Sequence, residues 1–127
     1  LHSTLEKIDK DQYTLDFDEM RDSLIQRFEF SMDTFWKFLN TYLQEVQGIY
    51  FEGFPSPRST FKAALQKGFF TEEEFKKCIS MVEDRNRTSH TYNEETAQEI
   101  FERIPEYYVY MKKLIKMCQQ QIEKKWQ

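Results

Sequence analysis

The densest collection of reactive groups in this chain is Glu83-Asp84-Arg85-Asn86-Arg87-Thr88-Ser89-His90-Thr91-Tyr92. Within it lie Arg85 and Arg87, the imidazole of His90, several hydroxyls and the phenol of Tyr92. Arginine grips phosphate oxygens with a two-pronged fork and offsets charge developing on phosphorus. Histidine, with an unperturbed pKa of about 6.5, gives or takes a proton near neutrality. Together they suit a phosphodiester and need no metal. The same residue types also end helices, because Arg and His complement the helix dipole and cap the last carbonyls. On residue types alone, the capped helix end is the simpler reading. Spacing adds a constraint: five residues on an ideal helix set Arg85 and His90 about 140° apart. They converge only if the helix stops before His90, or if a second copy supplies the other half.

The elements that must position these groups are helical. Ser3 or Thr4 can cap a short first helix from Leu5 to Gln12, and the polar stretch Asp16 to Asp18 opens a long second one ending near Gln47 at Gly48. Phe17, Leu24, Ile25, Phe28, Met32, Phe35, Leu39, Tyr42, Leu43 and Val46 share one face of it, with Asp22, Glu29, Asp33, Lys37, Asn40 and Gln44 opposite. Ser56 before Pro57, with Gly68 as the stop, marks a third helix over 57–67. Thr71 to Glu74 forms a capping box for a fourth, with Phe75, Ile79 and Val82 inward. Asn93 caps the last, in which Ala97, Ile100, Phe101, Ile104, Tyr108, Met111, Ile115, Cys118 and Ile122 keep one phase through Pro105. That continuity predicts one long kinked helix. The expected fold is an all-α, up-and-down antiparallel bundle of about five helices, two of them long, in a single domain over 1–127.

Composition narrows the function classes. At 127 residues, 39% apolar and 17% aromatic, the chain suits one packed core. Three Gly and three Pro are too few for an all-β fold. A net charge of -4 gives no bulk attraction to nucleic acid or anionic membrane, so phosphate binding needs a local basic cluster. Cys78 and Cys118 read as reduced residues at the core edge of a cytoplasmic protein, not as a disulfide. With no Cys/His ligand cluster, neither a zinc site nor another cofactor is expected. No signal peptide or long apolar run is present, and the Leu1 start reads as trimmed. Lys112, Lys113, Lys116, Lys124 and Lys125 read as a solvated helix face more readily than as a phosphate track. Phe30 projects near the polar back of the long helix, and Trp36 and Phe38 widen its apolar stripe. That excess of aromatics predicts a second buried surface, for a homodimer or a partner.

Beyond these local patterns, four blocks occur in a recognisable order. They are Gln26-Arg27-Phe28-Glu29-Phe30-Ser31, Trp36-Lys37, Ser56-Pro57-Arg58, and Arg85-Asn86 with Ser89-His90-Thr91-Tyr92. Over about Phe17 to Tyr110 they resemble the HEPN superfamily, more closely its nucleotidyltransferase substrate-binding branch. The resemblance implies a helical bundle that forms a homodimer and pairs with a separate minimal nucleotidyltransferase, often as a toxin–antitoxin system. Toxin members are metal-independent ribonucleases whose Arg and His, from both subunits, line a cleft at the dimer interface. Carried over, Arg85 binds and stabilises phosphate, with Asn86 a polar helper and Arg87 beside it. His90 is the acid/base, and Tyr92 is the candidate acceptor of AMP from the nucleotidyltransferase.

Three functions follow from different classes. One is a ribonuclease-type subunit acting on RNA at Arg85 and His90. The second is a non-catalytic module that presents a nucleotide or other substrate to the nucleotidyltransferase. The third, a phosphorelay domain, fits least, since that chemistry wants an exposed mid-helix histidine and His90 sits at a junction.

Overall fold

The computed structural model describes the backbone of residues 2–90 and 93–126 and the side chains of residues 16–88 and 93–126. Among the described residues four helices follow one another: α1 (His2–Glu45), α2 (Pro57–Gln66), α3 (Glu72–His90) and α4 (Glu94–Trp126). The expected short first helix and long second helix are therefore one, and the count is four rather than about five. Asp16 and Asp18 did not break the chain, because without Gly or Pro nearby a mid-helix Asp costs only a few tenths of a kcal/mol.

The other boundaries follow local chemistry. Gly48 and Gly68 adopt φ of 67° and 82°, left-handed turns beyond α1 and α2 that a side chain disfavours. Ser56 and Ser59 cap α2 reciprocally. Thr71 Oγ1 accepts from Glu74 N at 3.2 Å, and Glu74 Oε1 accepts from Thr71 N at 3.0 Å, as the capping box predicts. Asn93 Oδ1 accepts from Thr96 N at 2.7 Å, and α4 continues through Pro105.

Contacts between helices fix their directions. Phe17 meets Phe101, Ser31 meets Tyr108 and Lys125 reaches the Val46 carbonyl, so α1 and α4 run parallel. Lys77 pairs with Glu106 and Asp84 with Arg103, so α3 runs against α4. The bundle thus goes up, down and up through α1, α3 and α4. The short α2 packs on the upper part of α1, where Phe61 meets Phe35.

Phe28, Met32, Leu43, Phe61, Met81 and Ile100 form the centre of the core, each no more than 1% exposed. On α1 the buried apolar residues all come from the predicted face, and two polar residues, Arg21 beside Asp18 and Asp22, and Asn40, are buried with them. Asn40, expected opposite, is buried and donates to Thr60 Oγ1 at 3.0 Å, because α2 covers that flank. On α3 the most buried apolar residues are Cys78, Met81 and Val82, while Phe75 and Ile79 are only half-buried. On α4 the buried arc is rotated from the predicted one: Tyr107, Tyr110 and Leu114 are buried, whereas Tyr108 and Ile115 are half-buried. The alternating spacing of three and four marks the seam against α1. Packing of α3 against another side of α4 draws burial toward Tyr107 and Tyr110.

Both cysteines are free and buried. Burial pushes the Cys118 thiol up to about 11 and Cys78 further still. Among the described residues, no helix is long and apolar enough to cross a membrane.

Candidate functional site

The last turns of α3 carry the predicted segment, and the best-defined part of it is the carboxylate of Asp84, which precedes the Arg85 to Tyr92 block and has no role in the sequence-based expectation. Asp84 is only 2% exposed. Its two oxygens accept from Arg103 Nε and Nη2, each at 2.8 Å, in a bidentate fork. Tyr107 donates its hydroxyl to the same carboxylate at 2.6 Å, and Arg87 Nη1 approaches at 3.5 Å. Since the Tyr107 proton is committed to Asp84, Ser80 Oγ donates to Tyr107 across 2.7 Å. A buried charge is tolerable only when so satisfied. Burial, then the hydrogen bond to Asp84, pushes the Tyr107 phenol up to about 12. Hydrogen bonding to Asp84 pushes the Arg103 guanidinium up as well, holding it charged.

Arg85 turns the other way, onto α1. Its Nη2 lies 3.3 Å from Asp33 Oδ2 and its Nη1 3.4 Å from Glu29 Oε2, with the guanidinium partly buried. Glu29 and Asp33 stand one turn apart, so both reach the same guanidinium. Their expected solvent-facing role is thus corrected: they clamp Arg85. Asn86 and Arg87 are exposed beside it, and Thr88 Oγ1 donates to the Arg85 carbonyl at 2.6 Å. Around Arg85, Arg87 and Arg103 stand Glu29, Asp33 and Asp84, so three positive charges face three negative ones. Among the described residues, one copy therefore offers no strongly basic phosphate site at this end of α3.

The backbone of α3 continues to His90, so the helix does not stop between Arg85 and His90. Helical register keeps them about 140° apart. The side chain of His90 and all of Tyr92 lie outside the described residues. Among the described residues, no group of acidic, His or Cys side chains is arranged to hold a metal ion.

Against these helices and this site, the chain matches the family described as nucleotidyltransferase substrate binding protein like, over residues 1–120. The chain belongs to that family. A crystal structure of a Thermus thermophilus protein is similar at 41% identity and a TM-score of 0.70, over 77% of this chain and 80% of that one. No curated protein matches. Membership of this HEPN-like helical family agrees with the block order seen in the sequence and makes a nucleotidyltransferase the natural partner class.

Sequence reasoning missed Asp84, Arg103 and Tyr107 as a unit. A signal was present: Asp84 falls three residues after Met81 and six after Cys78, on the flank of an otherwise apolar stripe. Arg103 and Tyr107 stand four apart on the helix that α3 packs against.

Proposed function

We propose that this chain is the HEPN-type subunit of a two-component system with a minimal nucleotidyltransferase. It binds nucleotide or RNA phosphate at the end of α3, through Arg85, Asn86 and Arg87, in a cleft that two copies of the chain complete. His90 of one copy then faces Arg85 of the other and serves as acid/base for metal-independent RNA cleavage. The continuity of α3 through His90 carries the two-copy form of this reading, because a single helix separates the two groups. Tyr92, two residues on, is the proposed site for blocking by AMP.

In such a cleft the Arg85 guanidinium would lean on the phosphate while Glu29 and Asp33 fix its orientation. Asp84 would act by positioning. Anchored by Arg103 and Tyr107, it ties α3 to α4 on one side, as the Arg85 clamp ties α3 to α1 on the other.

A second reading, a module that presents a nucleotide without cutting RNA, is favoured by the neutralisation of Arg85 by two carboxylates. One assay separates the two. Purified protein is incubated with single-stranded RNA in EDTA, beside a binding measurement on the same RNA. Cleavage that disappears in His90→Ala supports the first reading. Binding without cleavage supports the second, and neither binding nor cleavage contradicts the proposed phosphate site.

A further inference from the structure

Gln26, Arg27 and Phe30 belong to the most distinctive block of the sequence, yet the site on α3 uses only Glu29 from it. They line hollows that open along α1 toward α4. Ser31, which faces α4, is about 160° around α1 from Asp33, which faces α3. On that far flank the parallel α1 and α4 leave an open groove of about 560 Å³. Its floor is Phe35, Phe38, Met111 and Ile115, with Lys112 on the wall. A second hollow adjoins it, sharing Phe30, Ser31 and Tyr108 and ending at Arg27. Phe30 stands between them, 75% exposed. From Ser23 to Phe38 the groove follows α1 for about 22 Å, four turns of helix.

The charges along it are one-sided. The two hollows are lined by the cations Arg27 and Lys112 and by no Asp or Glu, in a chain whose acidic residues outnumber its basic ones 22 to 18. Neither Arg27 nor Lys112 pairs with a carboxylate among the described residues. This pattern argues against a second copy as occupant. Two copies joined groove to groove would set these cations against each other, with no groove carboxylate to receive them. It suits an apolar ridge edged by carboxylates. A small ligand could fill part of the larger hollow but would not span four turns.

We infer that the α1/α4 groove is the docking surface for the nucleotidyltransferase, which seats there an amphipathic helix whose apolar stripe is edged by Asp or Glu. This rests on the pairing proposed above and adds where the pairing occurs. The partner thus docks along the side of α1 that meets α4, whereas the Arg85 clamp lies on the side that meets α3.

The test is association of the full chain with a minimal nucleotidyltransferase from the same genome, by calorimetry and gel filtration. Phe30→Asp and Arg27→Glu replace exposed side chains and are expected to leave helicity and melting unchanged. Each should weaken association by about tenfold or more, and added salt should weaken the wild-type complex. Phe54→Asp, a comparably exposed aromatic far from the groove at 97% exposure, should bind as wild type does. Undiminished association of both groove variants overturns the groove while the pairing stands. A wild-type chain that does not associate overturns both. Conversion of a wild-type dimer to monomer by Phe30→Asp assigns the groove to a second copy and overturns the inference.

Discussion

Asp84 and Arg103 meet through two hydrogen bonds of 2.8 Å that join α3 to α4, with the carboxylate buried and the guanidinium about a third exposed. Removing Arg103 strands a buried charge, whereas removing most surface partners strands nothing. Arg103→Ala is therefore expected to cost about 3 kcal/mol in urea unfolding, near the low end for a broken buried pair because water already screens the arginine. Arg103→Lys should recover only part of this, since an ammonium cannot fork onto both oxygens. A loss no greater than that of an ordinary surface substitution would show that Asp84 does not depend on Arg103.

High pH should act on Tyr107. Its folded phenol is raised from 10.0 to about 12, so it stays protonated where an unfolded tyrosine has ionised. Its contribution to stability is full below about 10 and is lost as pH rises toward 12. Absorbance titration should show late-titrating phenols, Tyr107 and the buried Tyr42 and Tyr110 among them. Tyr107→Phe should remove one of these late steps, and an unchanged titration would contradict the assignment.

Much of this architecture was legible in advance. The caps at Ser56, Thr71 and Asn93 are local chemistry, and they appear where the sequence puts them. The core face of α1 is equally readable, being a periodic signal over several turns. Asn40 and the Arg85 clamp were not, because helical phase says which residues share a face but not which neighbour covers it. A polar residue under α2 reads the same as one in water until α2 is placed. For the same reason Arg85 was legible as a reactive group, but its neutralisation by Glu29 and Asp33 was not.

The carboxylate clamp makes a prediction of its own. Glu29 and Asp33 compete with phosphate for Arg85, so Glu29→Gln with Asp33→Asn should tighten RNA binding by about tenfold, equivalent to about 1.4 kcal/mol. The folding cost should stay under about 1 kcal/mol, since these pairs are partly solvated. Fluorescence anisotropy with a labelled RNA measures the first effect. Weaker binding in the double variant would mean that the carboxylates serve the site only by holding Arg85 in place.

Neither thiol should react readily in the folded protein. With Cys118 raised from 9.0 to about 11 by burial, its thiolate fraction at neutral pH falls about a hundredfold, before limited access is counted. Cys78 is higher and fully buried. Labelling with a thiol-specific disulfide reagent should be slow in buffer and rapid for both cysteines in denaturant. Fast native labelling would place a cysteine at the surface.

The central claim, that the site at the end of α3 is shared between two copies, is tested most directly by mixing two defective chains. Arg85→Ala and His90→Ala are each expected to leave RNA uncut in EDTA. Co-refolded in equal amounts, they should regain about a quarter of wild-type cleavage, because about half the dimers are mixed and each mixed dimer has one intact site of two. A mixture as inactive as its components, beside a wild-type chain that cleaves, would contradict the account.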